Sequence, residues 1–393
     1  HIFHLRSKVR GHRSLETTIA FSGAGTPEES GAILRSLPGG DWAAYVIGCA
    51  VILHRELGLP ITGADIDIVS TVPIGKGVSS SAALEVATML ALMKAHGVAP
   101  DRIKLPLWAQ QVENRVAGAA CGLMDQLSVT LGSKRNLLPL VCQPHTVHVP
   151  VGIPAGVLFA GIDSGVRHAV GGASYGDVRT AAFMGYSVIA AAHGLGPADI
   201  AAAKESGEWS ALPYGGYLAN IPLSLFELSY ASLLPTRMKG SDFLARYGGT
   251  IDRATAVDAQ KFYDLSACTR HPVHEQFRVS SFERLLKAYP RSRDRIDILC
   301  AMGELMMQSH ASYAAVGLGN DRTDEIVARV RAAGPAMGVY GARISGGGSG
   351  GTVVVLAEGR VGKETVRRIH REMEVGEGKR LSLFLGSGRG ALA

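Results

Sequence analysis

A mixed α/β chain of the α+β kind, arranged in two lobes, is the fold class that these 393 residues predict. Three observations carry it. The length exceeds the roughly 100–200 residues that one hydrophobic core usually serves. Segments with apolar residues at helical spacing alternate with short strand-like runs bounded by Gly and Pro. No internal repeat or low-complexity linker interrupts them, so the lobes are expected to adjoin closely, over 1–160 and 161–393.

Composition narrows the class. With 47% hydrophobic and 19% charged residues, the chain reads as a soluble enzyme rather than a disordered or fibrous protein. The net charge of +6 favours anionic ligands such as phosphate. The basic residues are scattered without interleaved aromatics, which excludes a nucleic-acid groove. The basic start "HLRSKVRGHR" is read as a solvated, poorly ordered terminus, and the first residue, His1, implies a native N-terminal piece outside this sequence. Five cysteines without a CxxC pair argue against a disulfide framework and for a reducing cytoplasm. No apolar run approaches the ~20 residues of a membrane span, so no membrane partner is expected.

The elements follow in order. Trp42, Tyr45, Val46, Cys49, Ile52 and Leu53 share a helical face closed by Gly58 and Pro60, and "ADIDIVSTV" alternates as a strand. A helix runs to about Ala95 with Ala83, Val86, Leu90 and Met93 on one face, and another spans about Lys104 to Ala120. "CGLMDQLSVTLG" passes from loop to helix; "NLLPLVC", "HTVHVPV" and "GVLFAGIDSG" have strand lengths. A long helix covers about Ala173 to Gly194, residues 207–264 are irregular, and helices return at Glu275–Ala288 and Arg293–Ala314. Two strand-like runs flank a glycine loop in "GARISGGGSGGTVVVLAEG", and "KETVRRIHREME" is an amphipathic helix.

The chemistry starts at "PIGKGVSSSAALEVATML". The first amides of a helix have no internal partners and lie at the positive end of its dipole. Gly75 and Gly77 let an anion approach that backbone, and Ser79, Ser80 and Ser81 can add hydroxyl donors to a phosphate or ligate Mg²⁺. Capping alone needs one serine. The stretch is not a Walker loop, because Gly77 follows Lys76 where Ser or Thr is required and Ser70 stands where Gly is. Gly346 to Gly351 match GxGxxG by count, but a strand follows instead of a helix, so a dinucleotide site is excluded. A mobile hairpin loop against a nucleotide, or a plain Gly turn, remains.

Glu113 lies within a helix and Asp125 on a Gly-preceded loop, a carboxylate pair able to bind a metal and accept a proton, or else two solvated side chains. Asp163, Ser164, Arg167 and His168 cluster in "GIDSGVRHAVGG" but lack the GxSxG elbow of a hydrolase. The 13 histidines include no HExxH, and His310 in "SHASY" reads as a packing residue.

In order along the chain, "GKGVSSSAALEVAT", "CGLMDQ", "DSGVRHAVGGASYGDVR", "MMQSHASY" and "YGARISGGGSGGTVVVL" resemble motifs of the GHMP small-molecule kinases, within them the galactokinase group, over about Asp41 to Gly388. The resemblance implies a two-lobed kinase fold with its active site in the cleft between lobes, and ATP and Mg²⁺ as cofactors. It assigns Gly75, Gly77, Ser79 and Ser80 to the ATP phosphates, Ser81 and Glu113 to Mg²⁺, and Asp125 to the sugar hydroxyl as base or charge stabiliser. Gly346, Gly347, Gly348 and Ser349 would buttress the nucleotide loop and Trp42 would lie near the adenine, although its helical spacing suits core packing equally. Asp163, Tyr175 and Tyr247 are the remaining sugar-pocket candidates.

Two departures from the family pattern stand out. The first family motif, which contacts sugar hydroxyls, is not visible in "HIFHLRSKVRGHRSLETTIAFSG", and Ser349 stands where galactokinases usually carry Phe. That Ser, with "DWAAYV" and "RHPVHEQFRV", is closer to the kinase region of the L-arabinokinases. The expectation is therefore phosphorylation of L-arabinose at its anomeric hydroxyl, with D-galactose second. The missing motif motivates a third reading, a weakly catalytic sugar- and ATP-binding sensor.

Overall fold

The computed structural model describes residues 1–9, 14–22, 25–60, 62–142, 145–167, 173–378 and 380–393, without the side chains of Val9, Ala173, Ser174 and Glu377. His168 and the glycines that follow it therefore lie outside the described residues. The chain divides into two compact units, His1–Gly152 with Ser387–Ala393, and Ile153–Gly386. The division falls earlier than 160 because the strand that starts at Val157 is hydrogen-bonded to strands near the C-terminus.

In the first unit, β1 (Ile2–Val9) lies between β2 (Leu15–Ala20), antiparallel, and β3 (Ala64–Ser70), parallel. For residues 4–9 this corrects the expectation of a disordered basic start, whose residues 10–13 lie outside the described residues. His4, Arg6 and Lys8 are exposed while Phe3 and Leu5 are buried, so the segment alternates as a half-buried strand must. Helix α1 (Pro27–Ser36), which the sequence reading did not anticipate, opens on a capping box between Thr26 and Glu29. Helices α2 (Gly40–Leu57), α3 (Ser80–Ala95) and α4 (Lys104–Gln111) bury Val46, Ile47, Ile52, Val86, Met89 and Leu105 against the sheet.

The helix expected to run to Ala120 breaks instead. After α4 it widens into a π-helical turn, Val112–Ala117, that ends on left-handed Gly118. Helix α1 clamps this turn: Arg115 donates to both Glu28 carboxylate oxygens at 2.6 and 3.2 Å, and Arg35 donates to the Val116 carbonyl. Helix α5 (Met124–Leu131) follows, and then only two-residue strands, β4 (Asn136–Leu137) with β7 (Val151–Gly152) and β5 (Leu140–Val141) with β6 (Thr146–Val147). Prolines at 139 and 150 interrupt longer pairing there.

The described residues of the second unit form two cores. An antiparallel sheet ordered β11-β12-β8-β13 joins β8 (Val157–Asp163), β11 (Val339–Ile344), β12 (Thr352–Glu358) and β13 (Leu383–Leu385). Helix α12 (Asp321–Ala333), not foreseen from sequence, and α13 (Gly359–Glu377) cover it through Ile326, Val330, Val366 and Ile369. The other core is helical: α6 (Ala173–Ala192), α7 (Pro197–Ser206), the single turn α8 (Leu223–Leu225), α9 (Gly240–Tyr247) and α10 (Leu265–Ala288) surround Tyr186, Phe226 and Phe243. The hairpin β9 (Met238–Lys239) with β10 (Phe262–Tyr263) lies beside them. Helix α10 begins ten residues before Glu275 and carries Pro272 within it, which hid its first turns from a pattern reading. Helix α11 (Arg295–Ala315) packs directly on β11, where a Cβ on Gly303 would lie 2.0 Å from the Tyr340 carbonyl oxygen.

His310 packs within this unit as expected, accepting at Nδ1 from the Ile344 amide (3.4 Å) with Nε2 3.0 Å from Asp324. None of the five cysteines is in a disulfide. Among the described residues no helix is long and apolar enough to cross a membrane.

Candidate active site

The Gly/Ser stretch forms a half-buried loop that enters α3 without a side-chain cap. Gly75, Gly77 and Ser79 take positive φ of 71°, 65° and 62°. Ser79 is the N-cap, yet its hydroxyl makes no capping bond, and the first helical bond runs from the Ala83 amide to the Ser79 carbonyl at 3.0 Å. None of the three serines is therefore used as an ordinary cap. The amides of Ser80, Ser81 and Ala82 have no acceptor within the helix, at the positive end of its dipole. Left-handed backbone at a non-glycine residue costs roughly 1–2 kcal/mol, a cost retained here beside an anion-ready helix end.

Glu113 reaches this helix end from the π-helical turn. The Ser81 hydroxyl and the Cys121 thiol both donate to its carboxylate. Glu113 is 3% exposed, and burial pushes its carboxyl up, with these donors and Gln126 pulling back. The two residues assigned to Mg²⁺ are thus in contact. Asp125, half-buried in the first turn of α5, acts electrostatically on Glu113 and on Glu85.

Residues that the sequence reading missed complete the cluster. Glu85 and Gln126 are both fully buried, and Gln126 Nε2 donates to Glu113 Oε2 at 2.8 Å and to Glu85 Oε2 at 3.4 Å. Burial, then Glu113, pushes the Glu85 carboxyl well above the ordinary carboxylate range. Burial also raises the Tyr45 hydroxyl and the Cys121 thiol, and Glu113 and Glu85 raise both further. Glu85 carried a signal: it is the one charged residue in the run "SSAALEVATMLAL", four residues from Ser81 and so on the same helix side.

One hydroxyl and one carboxylate beside free helix amides suit a Mg²⁺ shared with phosphates, which keeps few protein ligands. Among the described residues no group of three or more His, Cys, Asp or Glu could form a dedicated metal cage. Trp42, at the first turn of α2, packs against the first core.

In the second unit the Gly346 to Gly351 loop is hydrogen-bonded to its surroundings at several points. The Ser349 amide donates to the Leu318 carbonyl (2.7 Å), the Gly351 amide to Val166 (3.0 Å), and the Tyr313 hydroxyl to Gly346 (3.0 Å). Gly346, Gly348 and Ser349 all have positive φ, and Gly347 lies between them. The Asp163 carboxylate, 1% exposed, accepts from the backbone amides of Gly165 (2.9 Å) and Ser382 (3.2 Å). Tyr175 packs on the helical core. Tyr247 stacks on Phe243, with ring centres 5.2 Å apart, and lines a separate 380 Å³ cavity walled by Leu195, Ile200 and Leu233.

Comparison with known proteins identifies the family. The family models described as GHMP kinases N terminal domain and GHMP kinases C terminal match residues 44–133 and 299–375. An L-arabinokinase of Arabidopsis thaliana is 38% identical over 373 residues, which is 90% of this chain and 36% of that protein. A galactokinase of Chloroflexus aggregans is 30% identical over 81% of this chain and 66% of its own length. The chain therefore spans about a third of the first relative and just under two thirds of the second. A galactokinase of Mycobacterium tuberculosis is 30% identical over 87% of this chain and 83% of its own length. In fold, the chain is similar to Lactococcus lactis galactokinase complexed with galactose, with a TM-score of 0.69 over 98% of this chain and 83% of that one at 19% identity. With two family models matched in order and a relative covered over most of its length, the chain belongs to the GHMP kinase family.

Proposed function

We propose that the chain is an ATP- and Mg²⁺-dependent sugar-1-kinase that transfers the γ-phosphoryl group to the anomeric hydroxyl of L-arabinose. One observation carries the kinase reading: Ser81 and Glu113 meet at the uncapped N-terminus of α3. The substrate rests on the likeness to an L-arabinokinase. D-galactose is the second reading, favoured by the galactokinase of which the chain covers 83%.

Loose phosphoryl transfer needs positioning and charge neutralisation more than covalent help. We assign Gly75, Gly77, Ser79 and Ser80 to the phosphates, whose charge the free amides of α3 would meet. Ser81 and Glu113 would hold Mg²⁺, which supplies charge neutralisation on the phosphate oxygens. Asp125 accepts the proton of the anomeric hydroxyl as that oxygen bonds to the γ-phosphorus and the bond to the β-phosphate oxygen breaks, releasing ADP. Gly346, Gly347, Gly348 and Ser349 are assigned to the nucleotide as well, and a cytoplasmic setting accords with five cysteines outside any disulfide.

The test is ADP release with L-arabinose and D-galactose side by side. Faster turnover of L-arabinose is expected, and Asp125→Asn should lower kcat by about 10²–10⁴-fold. Undiminished turnover in that variant removes Asp125 from the chemistry. Binding of sugar and ATP with no ADP release turns the reading to a sensor.

A further inference from the structure

Two buried polar side chains behind the Ser81–Glu113 pair have no part in the chemistry above. Glu85 and Gln126 are each 0% exposed. The carboxamide nitrogen of Gln126 carries two protons, and its acceptors are Glu113 Oε2 at 2.8 Å, Glu85 Oε2 at 3.4 Å and the Cys121 sulfur at 3.7 Å. The remaining oxygens, Glu85 Oε1 and Gln126 Oε1, are buried with no hydrogen-bond partner among the described residues.

Packing alone does not account for this arrangement. Each orphaned buried polar oxygen is destabilising, and apolar side chains of similar volume would fill the space without that penalty. What the polar pair adds is direction. A carboxamide is planar, so the acceptor at Glu85 sets the plane of the Gln126 amide and with it the line of its bond to Glu113. The Glu113 carboxylate is then gripped from the interior by Gln126 and from the helix end by Ser81.

We propose that Gln126, held in plane by Glu85, is a positioning residue that orients the Glu113 carboxylate towards its metal. The proposal rests on the kinase reading, and outer partners of this kind typically alter metal affinity when removed.

The experiment is calorimetric ATP binding by the full chain, with Mg²⁺ and with EDTA, compared across Gln126→Leu, Glu85→Leu and Glu85→Gln. Both leucine variants should weaken Mg²⁺-dependent ATP binding by about 10–100-fold while metal-free ATP binding stays within about twofold. Glu85→Gln keeps an acceptor for the amide and should restore the wild-type ratio. Folded leucine variants with that ratio unchanged overturn the proposal, as does a Glu85→Gln protein as impaired as Glu85→Leu. Thermal melting is the control, because a merely structural role moves Tm and leaves the ratio alone. If Gln126→Leu does not fold, the two Glu85 variants decide. If wild-type protein binds ATP without any Mg²⁺ dependence, the kinase reading falls with the proposal; if it shows that dependence and the leucine variants retain it, the proposal alone falls.

Discussion

The Ser81 hydroxyl donates a hydrogen bond to the Glu113 carboxylate, tying the first turn of α3 to the π-helical turn Val112–Ala117. If both hold one ion, their losses should not add. Ser81→Ala is expected to lower kcat/KM by about 10–100-fold and Glu113→Gln by about 10²-fold or more, the double variant falling short of the product. ADP release across a Mg²⁺ titration measures all three. Additive losses would separate the two residues.

Glu85 makes a pH prediction. Its folded carboxyl is raised by burial, then by Glu113, so the folded chain holds a proton there that the unfolded chain loses near pH 4.5. The associated stability is fully present below that pH and is lost as pH rises through the raised folded value. Glu85→Gln should flatten this decline and raise Tm at neutral pH by about 2–4 °C, as about 1 kcal/mol does in a domain of this size. Melting between pH 4 and 8 reads it, and an unchanged slope would refute it.

The glycine loop predicts opposite effects at adjacent positions. A Cβ on Gly348, at φ +84°, would lie 2.7 Å from Leu318, so Gly348→Ala should cost about 2 kcal/mol or more. Ser349 already takes φ 57°, so Ser349→Gly should gain about 1 kcal/mol. Denaturant melts compare them, and a destabilised Ser349→Gly protein contradicts the strain argument.

Acid sensitivity should come in part from Asp252 in the second unit. Arg179 donates to its carboxylate at 2.9 and 2.8 Å, Thr255 at 2.7 Å and the Ala254 amide at 3.1 Å. Burial pushes this carboxyl up, but these donors overcome it and hold the group below its usual range. With a depressed folded pKa, the stability is present above the unfolded value near pH 4 and lost as pH falls through the folded one. Asp252→Asn should lower neutral-pH stability by on the order of 3 kcal/mol and weaken the acid transition. An unaltered acid transition would show that Asp252 does not drive it.

Much of the fold was legible because apolar period reports burial. The face of α2, the start of α3 at the serines and the glycine hairpin between β11 and β12 all stand in the sequence pattern. The strand β1 was missed because its exposed face is basic and, within the basic run, its described buried face supplies Leu5 and the polar Ser7. Gln126 was missed because its carboxamide meets Glu113 and Glu85 only across packed helices, and Tyr45 because Glu113 and Glu85 act on its hydroxyl from other parts of the fold, relations no local period encodes.

The sequence by itself determined the family, the helix with an anion-ready start, and the residue types at the site, since glycine freedom, hydroxyl donors and carboxylates are local properties of named positions. Only the tertiary structure decided that Ser79 would forgo its cap, that the chain around Glu113 would widen into a π turn under the clamp of α1, and that Glu85 and Gln126 would be sealed beneath it. The reason is physical: hydrogen-bond partners and desolvation come from elements brought together across the chain, and burial fixes their charge and direction only once the core has closed.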